Sequence, residues 1–298
     1  MKLDPVTDPS ISLERTFYQK FMDRMLNIIK DTPNNIGGFL QSYYYSRFEI
    51  INLKRILRGK ISNFTPERIN ASLISMPPYG VKSYEELVKT KNVEEILQLL
   101  EGSNYQALNE KLTDYLQNQS IQPLEKELDH ISSSSIIVAA NNLPPQERRL
   151  VHNIVKLEVD VENFLQAVKI GRNKIESSNF KHSEIFPDTF SIKTETLEKL
   201  VHGEKIEDVL ETIPPLFKNL LQPITTGDVA LIRTRLMSQI YRAAGQSRGV
   251  NDFGFNPIMA FLIYCEIEKN NLTSIAWAKE QNIPIDQFFK YLVLPNII

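Results

Sequence analysis

One pattern recurs three times along this chain, and that recurrence limits the fold more than any other feature. In FEIINLKRIL, Glu49 is followed by Asn52, Leu53 and Ile56. In VDVENFLQAV the same places hold Asp160, Asn163, Phe164 and Ala167, and in IEKNNLTSIA they hold Glu268, Asn271, Leu272 and Ile275. Asp160 follows Glu49 by 111 residues, and Glu268 follows Asp160 by 108. A longer match supports the first two copies: LVKTKNVEEIL from Leu87 aligns without a gap on LVHGEKIEDVL from Leu200, 113 residues on. The segments that lead into each copy match more weakly, through Leu13/Phe17, Leu124/Leu128 and Ile232/Leu236. Solenoid repeats run about 20–50 residues, so a period of roughly 110 residues describes a unit large enough to be a small bundle. The repeat predicts three units over residues 1–118, 119–226 and 227–298, the third cut short at Ile298. Their junctions fall near Gln117–Pro123 and Gln222–Gly227, where polar and turn residues gather.

The units read as helical. Eleven glycines in 298 residues is well below the usual ~7%, and clear strand alternation is almost absent. Asp8 and Pro9 form a helix start, after which Leu13, Phe17, Phe21, Met25 and Ile29 recur every fourth residue as a core stripe. Asp31-Thr32-Pro33 and Gly37-Gly38 close that segment, and a second helix runs from Tyr43 to Ile61. Thr65-Pro66-Glu67 opens a third, and Ser83 with Glu86 has the capping-box spacing of a fourth. Each copy of the pattern is preceded by a proline break, at Pro33, Pro144-Pro145 and Pro257. The polar run Ser132 to Ser135 reads as a loop or helix start, and Gly245 to Gly249 as a connection.

Several function classes are excluded. A net charge of −2 gives no electrostatic grip on nucleic acid or anionic lipid. Neither a P-loop, a GxSxG elbow nor an HExxH pair is present, so no cofactor site is expected. The single Cys265 sits in an apolar run as a small hydrophobe, and four scattered histidines have no zinc spacing. The longest apolar stretch, Phe253 to Cys265, is too short to cross a bilayer. Membrane association is therefore expected only through partners.

Residues three and four apart share a helix face, so Glu49 and Asn52, Asp160 and Asn163, and Glu268 and Asn271 each pair on one face. They either hydrogen-bond a neighbouring helix end or loop, or bring the three acids towards a common axis as a socket for a cation or a basic rod. As a third possibility the acids form a divalent-metal site, which requires all three within a few ångströms of one point. Arg47, Lys54 and Arg58 also share a face, read as solvated or as a docking surface for an acidic partner. Phosphate binding is not expected, because the later copies carry Lys169 and Trp277 where the first has Arg58.

The triplication, with RFEIINLKRILRGKISNFTPERI as its first motif helix, resembles the C subunit of archaeal and bacterial V/A-type ATPases, the counterpart of the d subunit of the eukaryotic vacuolar enzyme. Glu49, Asn52, Leu53, Lys54, Ile56, Arg58 and Gly59 carry the most family-like stretch. The resemblance implies an all-α fold of three similar helical bundles about a pseudo-threefold axis, forming a funnel. It implies that the funnel receives the central-stalk subunits, rests on the proteolipid ring at the cytoplasmic face of the membrane, and turns with the rotor without performing chemistry. The chain departs from the pattern where Ile170 replaces Gly59 and where Ser274, Ala276 and Trp277 replace basic residues. Taken without the resemblance, the repeats are equally those of a helical scaffold for another rod or peptide.

Overall fold

In a computed structural model, the chain is described over residues 9–118, 120–173, 189–202, 204, 209, 228–247 and 255–294. Among these residues every regular element is helical. Three pairs of long helices follow one another: α1 (Pro9–Lys30) with α2 (Asn34–Ile61), α7 (Gln122–Ala140) with α8 (Pro145–Asn173), and α10 (Val229–Ser247) with α11 (Phe255–Glu280). In each pair a leading helix of 22, 19 or 19 residues precedes a motif helix of 28, 29 or 26. Short helices fill the intervals: α3 (Pro66–Ser72), α4 (Tyr84–Lys89), α5 (Val93–Leu99), a 3₁₀ turn (Gln106–Lys111) and α6 (Leu112–Asn118) after α2, then α9 (Thr194–Val201) after α8. After α11 come α12 (Ile285–Phe288) and a second 3₁₀ turn (Phe289–Tyr291). The repeat therefore recurs in the element order.

The chain divides into two compact units, Met1–Pro144 with Ile275–Glu280, and Pro145–Ser274 with Gln281–Ile298. In unit 1, α1 lies on α2 through aromatic edges: Tyr18 and Phe21 meet Phe48 with ring centroids 5.2 and 5.6 Å apart, and Phe21 meets Tyr44 at 4.9 Å. The stripe expected along α1 holds at Phe21 and Met25, which are buried, whereas Leu13 is exposed. The other side of α2 buries Leu53, Ile56 and Leu57 in one cluster with Leu87 and Val88 of α4, Ile96 and Leu97 of α5, and Leu124 and Leu128 of α7. In unit 2, Phe164, Ala167 and Val168 of α8 share a cluster with Leu197 and Leu200 of α9 and with Ile232 and Leu236 of α10.

Two leading helices thus pack on the motif helix of the preceding repeat: α7 on α2, and α10 on α8. The basic residues of α2 reinforce the first arrangement. Lys54 pairs with Asp129 at 2.6 Å and Arg58 with Glu125 at 2.5 Å, both partners on α7. Arg55 reaches Glu14 of α1 at 2.7 Å and donates to the Ser72 carbonyl at the end of α3. Lys60 donates to the Val88 and Thr90 carbonyls, which the end of α4 leaves without helical partners.

Cap chemistry places the short helices as expected. Thr65 accepts from the Arg68 N–H and Ser83 from the Glu86 N–H, both at 3.3 Å. Where the sequence suggests breaks, the helices are longer. α2 starts at Asn34 and runs through Gly37 and Gly38; a Cβ on Gly37 would stand 3.1–3.2 Å from Thr32 and Ile29, so that glycine serves the close approach of α1's end. Ser132 to Ser135 lie inside α7 and Gly245 inside α10, where a Cβ would come 2.7 Å from the Tyr264 hydroxyl. Asp8 and the junction at Gln222–Gly227 lie outside the described residues. No helix among the described residues is long and apolar enough to cross a membrane.

Candidate functional site

The residues that define the repeat act on backbone. Glu49 is fully buried in α2, and its two oxygens take consecutive amides: Oε1 accepts from Tyr79 N–H at 2.8 Å and Oε2 from Gly80 N–H at 2.6 Å. Two phenols complete the set, Tyr84 donating to Oε1 at 3.0 Å and Tyr105 to Oε2 at 2.7 Å. A buried carboxylate needs such a set, since the unpaired charge would be expelled from the fold. Burial, reinforced by the Glu49 charge, pushes both phenols well above the usual tyrosine range, so they remain donors at every physiological pH. Gly80 is required by proximity: a Cβ there would stand 2.9 Å from the Glu49 carboxylate and 3.1 Å from the Tyr105 ring.

In the second copy Asp160, also fully buried, does the same with one methylene less. Its Oδ1 accepts from Phe190 N–H at 3.0 Å and Oδ2 from Ser191 N–H at 2.6 Å. In both copies the acid lies 30 and 31 residues before the amides it holds. The repeat extends one residue further, because Val81 and Ile192, which follow the clamped amides, are both buried.

The asparagine forms a second clamp. Asn52 donates from Nδ2 to the Ile74 carbonyl at 3.0 Å and accepts the Ile74 N–H on Oδ1 at 2.8 Å. Asn271 repeats this on Val293, at 2.8 and 3.0 Å, again 22 residues ahead. A carboxamide carries a donor and an acceptor side by side and so substitutes for a neighbouring peptide group. The acid–x–x–Asn spacing thus sets two clamps one helical turn apart, both fastening the segment that leaves the motif helix.

The remaining expected site residues are placed differently. Asn163 is half-buried in α8, and residue 185, twenty-two positions on, lies outside the described residues. Glu268 is exposed on α11, and Ile298, thirty positions on, is likewise outside them. Lys54 and Arg58 turn towards α7, so an acidic partner on that face would compete with Asp129 and Glu125. Arg47 stands over the Tyr43 ring at 4.6 Å. Among the described residues no group of three or more His, Cys, Asp or Glu side chains is placed to hold a metal, and the oxygens of Glu49 and Asp160 are engaged by their own loops. Sequence reasoning missed Tyr84, Tyr105 and Gly80. No spacing in the sequence marks them, since the 30-residue step from acid to amide appears only in the fold.

Comparison with known proteins follows the same span. The profile of the family described as ATP synthase (C/AC39) subunit matches residues 11–291, which take in all three helix pairs. The chain is 26% identical over 264 residues to the C subunit of the A-type ATP synthase of Methanosarcina acetivorans, covering 88% of this chain and 70% of that protein. The protein of the same name from Methanosarcina mazei is 25% identical over 279 residues, 91% and 73% of the two chains. That from Methanocaldococcus jannaschii is 22% identical over 298 residues, 98% and 74%.

Proposed function

Because the chain belongs to the ATP synthase (C/AC39) subunit family, we propose that it is the non-catalytic rotor subunit of a V/A-type ATP synthase, joining the central stalk to the proteolipid ring. The observation that carries this reading is the family match across residues 11–291, which takes in every repeat. In this reading the three repeats form a funnel that seats the end of the stalk, and the subunit transmits torque between nucleotide chemistry and ion translocation. A coupling element must resist shear without flowing, and the two acid clamps suit that task, since each ties a loop to a long helix through charge-assisted bonds. The subunit is held at the cytoplasmic face through partner proteins.

Tagged purification from gently solubilised native membranes tests the assignment. The stalk subunits and the proteolipid ring should come with the chain in near-stoichiometric amounts. Recovery of the chain alone, while intact ATP synthase purifies without it, would overturn the rotor reading and leave a helical scaffold for another partner.

A further inference from the structure

Each acid clamp holds more than a loop: it fixes the backbone beneath an exposed aromatic ring. Tyr79, whose N–H is taken by Glu49, is 43% exposed, and Phe190, whose N–H is taken by Asp160, is 39% exposed. The two rings are 111 residues apart in the chain, as are the two acids. Each ring also lies beside the residue one turn before its acid. Tyr79 meets Tyr45 edge-on with centroids 5.8 Å apart, and the Lys156 ammonium stands 5.4 Å from the centre of the Phe190 ring.

Neither ring sits there to fill a core. The buried residue of each loop comes two positions later, at Val81 and Ile192. A hydroxyl is not the shared feature either, since Tyr79 donates its own to Ser42 at 2.7 Å and Phe190 has none. What recurs is an exposed ring on a fastened backbone, followed three residues on by an exposed lysine, Lys82 in one loop and Lys193 in the other. Among the described residues neither lysine side chain has a hydrogen-bond or salt-bridge partner. Aromatic residues are enriched among the positions that carry most of the energy of protein interfaces, and a backbone already fixed lowers the ordering cost of contact. The charge beside each ring selects the partner. The lysine amine matches a carboxylate, while Glu85 and Glu86 in the first turn of α4, and Glu195 in that of α9, are exposed close behind it. Such alternation of sign repels a phosphate backbone or an anionic bilayer and admits a single acidic side chain.

We propose that Tyr79 with Lys82, and separately Phe190 with Lys193, are preformed anchors for acidic segments of a partner protein, each ring taking an apolar side chain and each lysine a neighbouring carboxylate. Each anchor lies within one unit. The inference stands apart from the rotor reading, since it rests on local geometry and charge.

Photo-cross-linking tests it. p-Benzoylphenylalanine replaces Tyr79, Phe190 or, as a control, the exposed Gln19 of α1 in the tagged full chain expressed in its host, and the membranes are irradiated before solubilisation. Both anchor positions should cross-link to protein segments with Asp or Glu within one helical turn of the attachment point, at yields at least about fivefold above the Gln19 position. K82E and K193E should each lower the yield at their own ring at least about threefold. Thermal melts of the purified variants verify that they fold. Yields no greater than at Gln19, cross-links from one anchor alone, yields untouched by the lysine reversals, or attachment to lipid, nucleic acid or segments without acids would each overturn the proposal. Which protein carries the acidic segment bears on the rotor reading alone, so the two readings fail separately.

Discussion

At Glu49 four donors converge on one side chain, and each oxygen serves one amide and one phenol. Glu49→Gln replaces an acceptor with an N–H₂ group facing donors, and removes the charge that strengthens the rest. Buried bonds to a charged group contribute about 1.5–3 kcal/mol each, so a loss of about 2–4 kcal/mol is expected in urea unfolding. An unchanged midpoint would mean the amides of Tyr79 and Gly80 find other acceptors. A second residue works against the fold. Burial pushes the Lys126 ammonium down to about 8, from about 10.4 in an unfolded chain. Between about pH 8 and pH 10 the unfolded chain therefore holds more protons, so stability rises with pH in that window, and below it the cost is fully present. Lys126→Met should stabilise by on the order of 1–3 kcal/mol at pH 7, and the gain should fade by pH 10. A gain equal at both pH values would assign it to packing instead. The acids and asparagines were legible as a repeat because side chains are written in sequence. Their partners were not, because a backbone N–H belongs equally to Tyr79, Gly80, Phe190 or Ser191.

Among the elements, local chemistry was readable and close approach was not. The starts of α3 and α4 follow from Thr65 and Ser83, whose hydroxyls act within one turn. The passage of α2 through Gly37 depends on how near the end of α1 lies, which no local rule encodes. The glycines of α2 are not equivalent. A Cβ at Gly38 meets nothing within 4 Å, so Gly38→Ala should stabilise by about 0.5–1 kcal/mol through helix propensity. At Gly59 a Cβ would lie 2.6 Å from the Ile69 side chain, where α3 crosses; Gly59→Ala should destabilise, by about 1–3 kcal/mol. Chemical denaturation of the two variants in parallel checks both signs. The ion pairs across the two helix contacts run in opposite senses. On α2 the motif helix carries the base and α7 the acid, Arg58 with Glu125, whereas on α8 it carries the acid and α10 the base, Glu162 with Arg233 at 2.9 Å. Arg58→Glu should cost at most about 1 kcal/mol, as exposed pairs do, and Glu125→Arg in the same chain should recover it. A double variant less stable than either single one would remove charge from the account of pairing.

On the scale of the whole molecule, the end of the first repeat in sequence and the end of the first segment of unit 1 differ by one helix. The boundary expected from the repeat falls at residue 118, and the first segment of unit 1 runs to Pro144, because α7 completes the core over α2. Periodicity alone locates a repeat but not its phase, since packing partners are not written in it. The offset makes the two clamps independent reporters. In hydrogen exchange, Glu49→Gln should deprotect the amides of Tyr79 and Gly80 and leave Phe190 and Ser191 slow, and Asp160→Asn should do the reverse. Deprotection of both loops by either change would show that the clamps act as one cooperative element. The same offset orders events at the ribosome. Proteins are synthesised from the N-terminus at about 5–20 residues per second, and the apolar side of α2 stays open until α7, the first helix of the next repeat, has emerged. The side of α8 waits in turn for α10. The first two repeats are each completed by a helix of the one behind, so a nascent chain stalled at either junction presents an unfinished core to chaperones, and one stalled a helix later does not.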